Sequence, residues 1–250
     1  MTPLDPELDP ALVHREATQW IWVPEDARVL ERPGFLLVAY PEHFATPTVA
    51  TRWAPGFDDV DAVLAGARLL RRPHVDFSEI SGGPLEEALV ARGAELTETL
   101  TVLATPLDPL PALDPPIDVE VGPAVSLAER RAAEAISVAA FGGTARDDET
   151  LASDDWSGHV VARRDGAVVG VAGLTLTSVS ARLWGAAVAP EARHTGVYRA
   201  LLGHRLRTGA EAGRALALVK GRVETSAPVL ARAGFASYGE VRAYRLASGG

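Results

Sequence analysis

A junction between a predicted strand and a predicted helix, in the second half of the chain, carries the residues best suited to bind an anion. Residues 188–198 read VAPEARHTGVY. A strand that ends where a helix begins leaves several amide N–H groups unpaired, with the positive end of the helix dipole behind them. Gly196 lets an anion approach the backbone without a Cβ in the way, and Arg193 adds charge at the rim. The junction therefore predicts an anion site, with room at Gly196 for a group as large as a pyrophosphate.

A second segment, residues 226–235, reads SAPVLARAGF and predicts a short helix that ends at Gly234. Both segments also have a purely structural interpretation. A glycine after a strand is typical of a plain turn, and Gly234 followed by Phe235 is typical of a helix cap with a core aromatic residue. The structural and functional interpretations are compatible.

Together, the two segments resemble motifs of the Gcn5-related N-acetyltransferases (GNAT superfamily). The first is similar to the pyrophosphate-binding motif [RQ]-x-x-G-x-[GA], preceded by a strand that ends V-x-P. Arg193 and Gly196 match this motif, whereas Tyr198 stands where Gly or Ala is usual. The second segment is similar to the later helix of the family in the variant S-x-P-I-L-x-R-x-G-F. The resemblance covers about residues 117–246.

The resemblance implies an acyl-CoA N-acyltransferase fold, which is an α/β (α+β) fold with a mixed, mainly antiparallel twisted sheet flanked by helices. It also implies acetyl-coenzyme A as co-substrate, without a metal, and a later helix that flanks the pantetheine arm. The residues implied in cofactor binding are Ala186, Val188, Arg193, His194, Thr195, Gly196, Val197, Tyr198 and Ser226.

The catalytic group is left unassigned. Acetyl transfer needs a neutral amine, so a base or a chain of waters should remove a proton, and the departing thiolate benefits from a nearby donor. In many members of the resembled family a tyrosine of the later helix is that donor, and the matching position here is Leu230. Positioning and backbone oxyanion stabilisation alone are the alternative. The candidate side chains are Asp154, Asp155, His159, Glu224, Tyr198 and Tyr238.

Hydrophobic periodicity predicts the elements that position these residues. The helix at 126–141 begins with a capping box, Ser126 and Glu129, and Asp165-Gly166 predicts a hairpin turn. Residues 142–157 are predicted as a loop with room for one helical turn. The predicted strands are 117–121, 159–163, 167–177, 181–188, 215–219 and 238–246. Two further helices are predicted: one begins at Val197 and is ended by Gly213, and the other spans 227–233.

Five prolines between Thr105 and Ile117 predict a linker at residues 106–116, because proline removes backbone donors and disfavours helix before it. The chain is thus divided into similar domains at 1–105 and 117–250.

In the first domain, residues 85–96 are similar to 229–235, which favours an internal repeat over an unrelated α/β cap domain. The predicted helices are 10–19, 58–70 and 85–92, and the predicted strands are 28–40, 48–52, 74–79 and 97–104.

The corresponding turn of the first domain, within residues 51–61, lacks the anion motif. Three aspartates there, Asp58, Asp59 and Asp61, would repel a pyrophosphate, and Asp58 is better interpreted as a helix N-cap. We therefore expect a degenerate copy that binds no cofactor. Core positions are expected for Trp20, Trp22 and Trp53, with an acceptor pocket between the halves as the alternative.

Composition excludes several other functions. A formal net charge of -9 argues against nucleic acid as a partner, and the absence of cysteine removes thiolate catalysis and disulfides. The first ten residues carry acids and prolines, and no run approaches the length of a membrane span. A cytoplasmic protein without membrane association, monomeric or homodimeric, is expected.

The leading hypothesis is an N-acetyltransferase that acts on an amine of a small molecule or peptide. A coenzyme A-binding sensor or scaffold without turnover is the alternative that Leu230 favours. Transfer of a longer acyl chain is a third possibility, which needs a deep tunnel beyond the thioester.

Overall fold

The computed structural model describes residues 8–113 and 116–249, so Asp114 and Pro115 of the predicted linker lie outside it. The helices are α1 (Pro10–Thr18), α2 (Val60–Leu69), α3 (Pro84–Ala91), α4 (Leu127–Phe141), α5 (Asp148–Ser153), α6 (Val197–Glu211) and α7 (Ser226–Arg232). The strands are β1 (Arg28–Arg32), β2 (Phe35–Ala39), β3 (Thr48–Thr51), β4 (His74–Ile80), β5 (Glu95–Pro106), β6 (Glu120–Pro123), β7 (His159–Arg164), β8 (Ala167–Leu176), β9 (Ser180–Val188), β10 (Leu216–Arg222) and β11 (Ala236–Ala247).

Three local predictions were wrong. The strand predicted at 28–40 is a hairpin, because Gly34 adopts a φ of 101° and reverses the chain between β1 and β2. Asp59, not Asp58, caps α2, since its Oδ1 accepts a hydrogen bond from the amide of Ala62 at 3.0 Å. The strand predicted at 117–121 begins only at Glu120, because a turn follows Pro116.

The capping box of α4 is confirmed. The hydroxyl of Ser126 accepts a hydrogen bond from the amide of Glu129, and the carboxylate of Glu129 accepts one from the amide of Ser126, both at 3.2 Å. The helical turn within 142–157 is present as α5. Hydrogen bonding at a helix start is local, and local sequence therefore predicts it.

The described strands form one 11-stranded sheet in the order β1-β2-β3-β4-β11-β5-β10-β9-β8-β7-β6. The pairs β3–β4 and β9–β10 are parallel and the other neighbours are antiparallel, so the predicted mixed, mainly antiparallel sheet is confirmed. The final strands of the two halves are exchanged: β5 pairs with β10 of the second half, and β11 pairs with β4 of the first half.

The pairing of β5 with β11 is symmetric. Each strand has 12 residues, and Leu100 faces Val241 at the centre. Thr99 pairs with Arg242 on one side and Thr101 pairs with Glu240 on the other, and the register shifts beyond both ends of this central stretch. An approximate two-fold axis therefore passes between Leu100 and Val241.

Helices cover both faces of the sheet. On β10, the side chains of Ala217 and Val219 pack under α6 and α7, whereas those of Leu216 and Leu218 pack under α1. Successive residues of a strand point to opposite faces, so α1 lies opposite α6 and α7. In the described part of the chain, no helix is both long and apolar enough to cross a membrane.

The linker crosses the sheet on the side of α6 and α7. Leu107 and Leu113 join the apolar cluster between these helices, and Pro111 lies near Gly234 at the end of α7. The linker then reaches the start of α6 at Pro116. The described residues of the linker thus contact the cluster between α6 and α7, the end of α7 and the predicted anion turn.

Candidate functional site

The parallel strands β9 and β10 separate at their carboxyl ends. Their pairing starts where Ser180 faces Leu216 and ends where Leu183 faces Val219. Beyond this point β9 continues to Val188 without β10 as its partner. Ligands of α/β sheets bind in crevices at the carboxyl ends of parallel strands. Ala186 and Val188 lie on the separated part of β9, next to the predicted anion turn.

The anion turn has the backbone geometry of a nest of N–H groups. His194 and Gly196 both adopt left-handed conformations, with φ of 64° and 88°, and Gly196 is the N-cap of α6. Within the described residues, the amides of residues 194–199 donate no hydrogen bond to another backbone group. Unpaired donors at a helix start suit an anion.

Two guanidinium groups lie at this turn. Arg193 is exposed and its Nε donates to the carbonyl of Val188 at 3.4 Å. Arg164, at the end of β7, donates to the hydroxyl and the carbonyl of Thr195 at 2.9 and 3.3 Å and forms an ion pair with Asp118. Sequence reasoning missed Arg164, although its place beside the Asp165-Gly166 turn puts it at the correct end of the sheet.

The other residues predicted to bind the cofactor have structural roles as well. Val197 is 1% exposed, so only its amide faces the turn. The hydroxyl of Ser226 accepts a hydrogen bond from the amide of Arg222 at 2.8 Å, which ties the start of α7 to the end of β10. Thr195 donates its hydroxyl proton to the carbonyl of Ala192.

Gly196 has a structural reason to be glycine. A methyl group in place of its hydrogen would meet Pro116 at 2.9 Å, and its positive φ disfavours other residues. The sequence pattern suggests an exposed position, but Gly196 is half-buried under the linker. A Gly196→Asp substitution would therefore disturb the fold as well as an anion site.

Tyr198 and Leu230 belong to one apolar cluster between α6 and α7. Leu230 is fully buried there, and Tyr198 packs against the cluster from the first turn of α6. The guanidinium of Arg205, a residue that sequence reasoning missed, is the charged group that acts on the Tyr198 hydroxyl. Burial raises the pKa of Tyr198 despite the charge of Arg205, so the phenol is protonated at neutral pH.

On the opposite face, His159 lies between two tryptophans. Its ring is 4.6 Å from that of Trp156 and 4.8 Å, edge-on, from that of Trp184. Burial, with the nearby Arg146 cation, lowers the pKa of His159 to about 4. Its Nδ1 is buried and has no hydrogen-bond partner among the described residues. His159 is therefore a neutral imidazole at physiological pH.

The aspartates of the candidate list are already engaged. Asp154 forms an ion pair with Arg146, which also binds Glu134. Asp155 accepts hydrogen bonds from the amide and hydroxyl of Ser157, and these lower its pKa. Both carboxylates are therefore held by partners that lie away from the anion turn.

The remaining candidates lie apart from the turn. Glu224 is exposed in the segment before α7. Tyr238 packs under α1, on the face of the sheet opposite Tyr198. Of the six candidate side chains, only Tyr198 lies both at the anion turn and in the groove between α6 and α7.

The first half has a corresponding separation of strands. β3 and β4 pair only at Val49 with Asp76 and at Ala50 with Phe77. Trp53 lies in the gap, donating its Nε1 proton to the carbonyl of Ser78 at 2.7 Å and stacking on Phe77. A cleft of about 390 Å³ remains beside Trp53.

The other tryptophans of the first half differ in environment. Trp20 lies under the cations of Arg182 and Lys220, at 5.9 and 5.5 Å from its ring. Trp22 is 57% exposed and stacks on Tyr40, so the expected core position was wrong for it.

The sequence model of the Acetyltransferase (GNAT) family matches residues 129–235, from the first turn of α4 to Phe235. This range includes the anion turn, α6 and α7. Residues 129–235 form a GNAT domain. The match supports acyl transfer as the general chemistry of this domain. No curated protein matches the sequence.

Solved structures share the fold over most of the chain. A GCN5-related N-acetyltransferase from Kribbella flavida has a TM-score of 0.66 at 17% identity, covering 96% of this chain and 95% of the other. One from Sphaerobacter thermophilus has a TM-score of 0.63 at 19% identity, covering 89% and 76%. A tandem GNAT protein from the clavulanic acid biosynthesis pathway has a TM-score of 0.58 at 17% identity, covering 86% and 79%.

Proposed function

We propose that the GNAT domain transfers an acetyl group from acetyl-coenzyme A to an amine of a small molecule or peptide. The observation that carries this proposal is the turn at residues 194–199, whose amides are unpaired at the start of α6 and beside the separation of β9 and β10. The family match to residues 129–235 supports the same chemistry.

The pyrophosphate would be held by the amides of residues 194–199 and by the guanidinium groups of Arg193 and Arg164. The dipole of α6, a 15-residue helix, adds positive potential at the same place. Because the linker packs against Gly196 through Pro116, we expect small shifts of Pro116 when the ligand binds.

The amine would approach from the opposite face of the sheet, where Trp184 and His159 lie. Leu183 packs under α6 and α7, so the neighbouring Trp184 points to the other face. A tryptophan ring next to a neutral imidazole offers an apolar wall, which suits an amine that must lose its proton before it reacts.

Substitution of the two arginines tests the cofactor site. Arg193→Ala and Arg164→Ala should each raise the dissociation constant of coenzyme A by about 10- to 100-fold, since a hydrogen bond to a charged group contributes about 1.5–3 kcal/mol. Arg207→Ala is the matched control, because it removes an exposed charge from the same helix away from the turn. Equal effects of all three variants would contradict the site.

The alternative function is a sensor or scaffold that binds coenzyme A without turnover. Leu230, fully buried at the position where the resembled family carries its proton donor, favours this alternative. Release of free thiol from acetyl-coenzyme A, measured with a broad panel of amines, separates the two functions. Turnover with any amine above the rate without amine supports the transferase.

We further propose that residues 1–105 are a degenerate copy, joined by the linker at 106–116 to the domain at 117–250. The symmetric register about Leu100 and Val241 and the matched lengths of β5 and β11 support a repeat. Trp53 fills the strand gap of the first half, which supports the absence of a cofactor there. A cytoplasmic location and a monomer or homodimer belong to the same proposal.

A further inference from the structure

Arg205 is the most deeply buried cation of the described residues. It is 1% exposed, and burial lowers its pKa to about 10. Its guanidinium donates to the carbonyls of Leu201 and Gly173, each at 3.2 Å, and interacts electrostatically with the Tyr198 hydroxyl. In the described chain, no carboxylate forms an ion pair with it. A buried charge without a counter-ion is costly, so its retention needs an explanation.

The surroundings of Arg205 place it beneath the candidate reaction centre. Gly173 lies on β8 and pairs with Trp184 of β9, where β9 has just parted from β10. Tyr198 is the second residue of the same helix, two residues after Gly196, and Arg205 is the charged group that acts on its hydroxyl. The Tyr198 hydroxyl and the Arg205 guanidinium therefore meet under α6, beside the separated strand.

We infer that Tyr198 is the proton donor to the leaving sulfur and that Arg205 is its positioning residue, so that the donor lies on α6 instead of at Leu230 on α7. This inference rests on the proposed acetyl transfer. It explains three features: the bulky Tyr198 in the first turn of α6, the apolar Leu230 on α7, and the buried cation without a carboxylate partner.

The proton balance closes without a further reactant. The amine nitrogen attacks the thioester carbonyl, the C–S bond breaks, and its electron pair leaves on sulfur. Tyr198 gives its proton to sulfur, and the guanidinium of Arg205 stabilises the phenolate that forms. The phenolate then takes up the proton that the nitrogen loses as the amide forms, which restores Tyr198.

The ionisation of Tyr198 is suited to this role. Burial raises its pKa, and Arg205 is the charged group that opposes the rise. The phenol therefore holds its proton throughout the neutral range, while the cation lowers the cost of releasing it to a group that develops negative charge.

The first experiment measures the thiol pKa of bound coenzyme A by thiolate absorbance. A donor and a cation near the sulfur should lower this pKa by at least about one unit relative to free coenzyme A. Tyr198→Phe should reverse most of that shift and reduce turnover by about a hundredfold or more, with little change in coenzyme A affinity. Tyr244→Phe is the control, because Tyr244 of β11 packs in the core of the first half, away from the anion turn.

The second experiment separates function from folding. Arg205→Met should leave the melting temperature unchanged or raise it, because replacing an unpaired buried charge by an apolar chain of similar length removes a desolvation cost. The same variant should lose turnover and the shift of the bound thiol pKa. A large fall in melting temperature with an unchanged thiol pKa would assign Arg205 a structural role only.

A rescue experiment tests the location of the donor. Tyr198→Ala should lose turnover. Adding Leu230→Tyr to this variant should raise its turnover at least about tenfold, because both side chains belong to the same cluster. Absence of coenzyme A binding to the unmodified protein would overturn the proposed function and this inference together. Binding with an unshifted thiol pKa would overturn the inference alone.

Discussion

At the scale of single residues, burial decides which groups titrate. His159 has a pKa lowered to about 4 by burial and by Arg146, against an ordinary value of 6.5. Between pH 6.5 and 4 the unfolded chain binds a proton at this position that the folded chain does not, so the free energy of unfolding must fall as the pH falls. Above pH 6.5 the effect is absent.

This predicts a specific difference between two proteins. His159→Gln removes the titration, so its free energy of unfolding should depend less steeply on pH in that range than that of the unmodified protein. Denaturant titrations at several pH values measure this difference in the free energy of unfolding. Both proteins have the same carboxylates, so the contribution of the carboxylates to the pH dependence cancels. Parallel pH profiles would show that His159 is solvated in the folded state.

Close packing at Gly173 gives a second residue-scale prediction. A Cβ there would lie 2.2 Å from the ring of Trp184, so either the ring or the strand must move. Gly173→Ala should lower the free energy of unfolding by about 1–3 kcal/mol. Gly122→Ala, also in a strand but 3.8 Å from its nearest neighbour, should change it by less than about 0.5 kcal/mol. Urea denaturation of the pair measures both, and equal effects would contradict the packing.

The residues of the anion turn could be predicted because their chemistry is local. Gly196 and Arg193 follow a strand and precede a helix, and the backbone of that junction determines what they can bind. Arg164 and Arg205 could not be predicted in the same way. Arg164 reaches Thr195 from another strand, and the burial of Arg205 depends on how α6 packs on β8.

At the scale of elements, periodicity predicted most helices and strands, whereas pairing between the halves could not be predicted. Alternation of apolar residues marks β5 and β11 as strands, but no local pattern states which strand is the neighbour of which. The exchange of β5 and β11 is a property of the whole sheet, and it appears only when both halves are folded together.

The strand exchange predicts how the protein responds to a cut in the linker. If a protease site is inserted after the exposed Leu110 and cleaved, the fragments should stay together on gel filtration, because β5 lies between β11 and β10. They should separate only in denaturant. Fragments that separate under native conditions would contradict the exchange.

At the scale of the whole molecule, both halves have a pair of parallel strands that separate, but they differ at the turn that we propose as the cofactor site. The first half has Trp53 between its separated strands, and three aspartates precede or begin α2. The second half has unpaired amides and two arginines at the corresponding turn. We therefore expect one cofactor site in the chain.

Isothermal titration of the intact protein with coenzyme A measures the number of sites. We predict one coenzyme A bound per chain, with affinity reduced by Arg193→Ala and unchanged by Arg52→Ala, which removes an exposed arginine next to Trp53 in the first half. Two equivalent sites per chain would contradict this expectation. Binding that is lost in Arg52→Ala but retained in Arg193→Ala would contradict it as well.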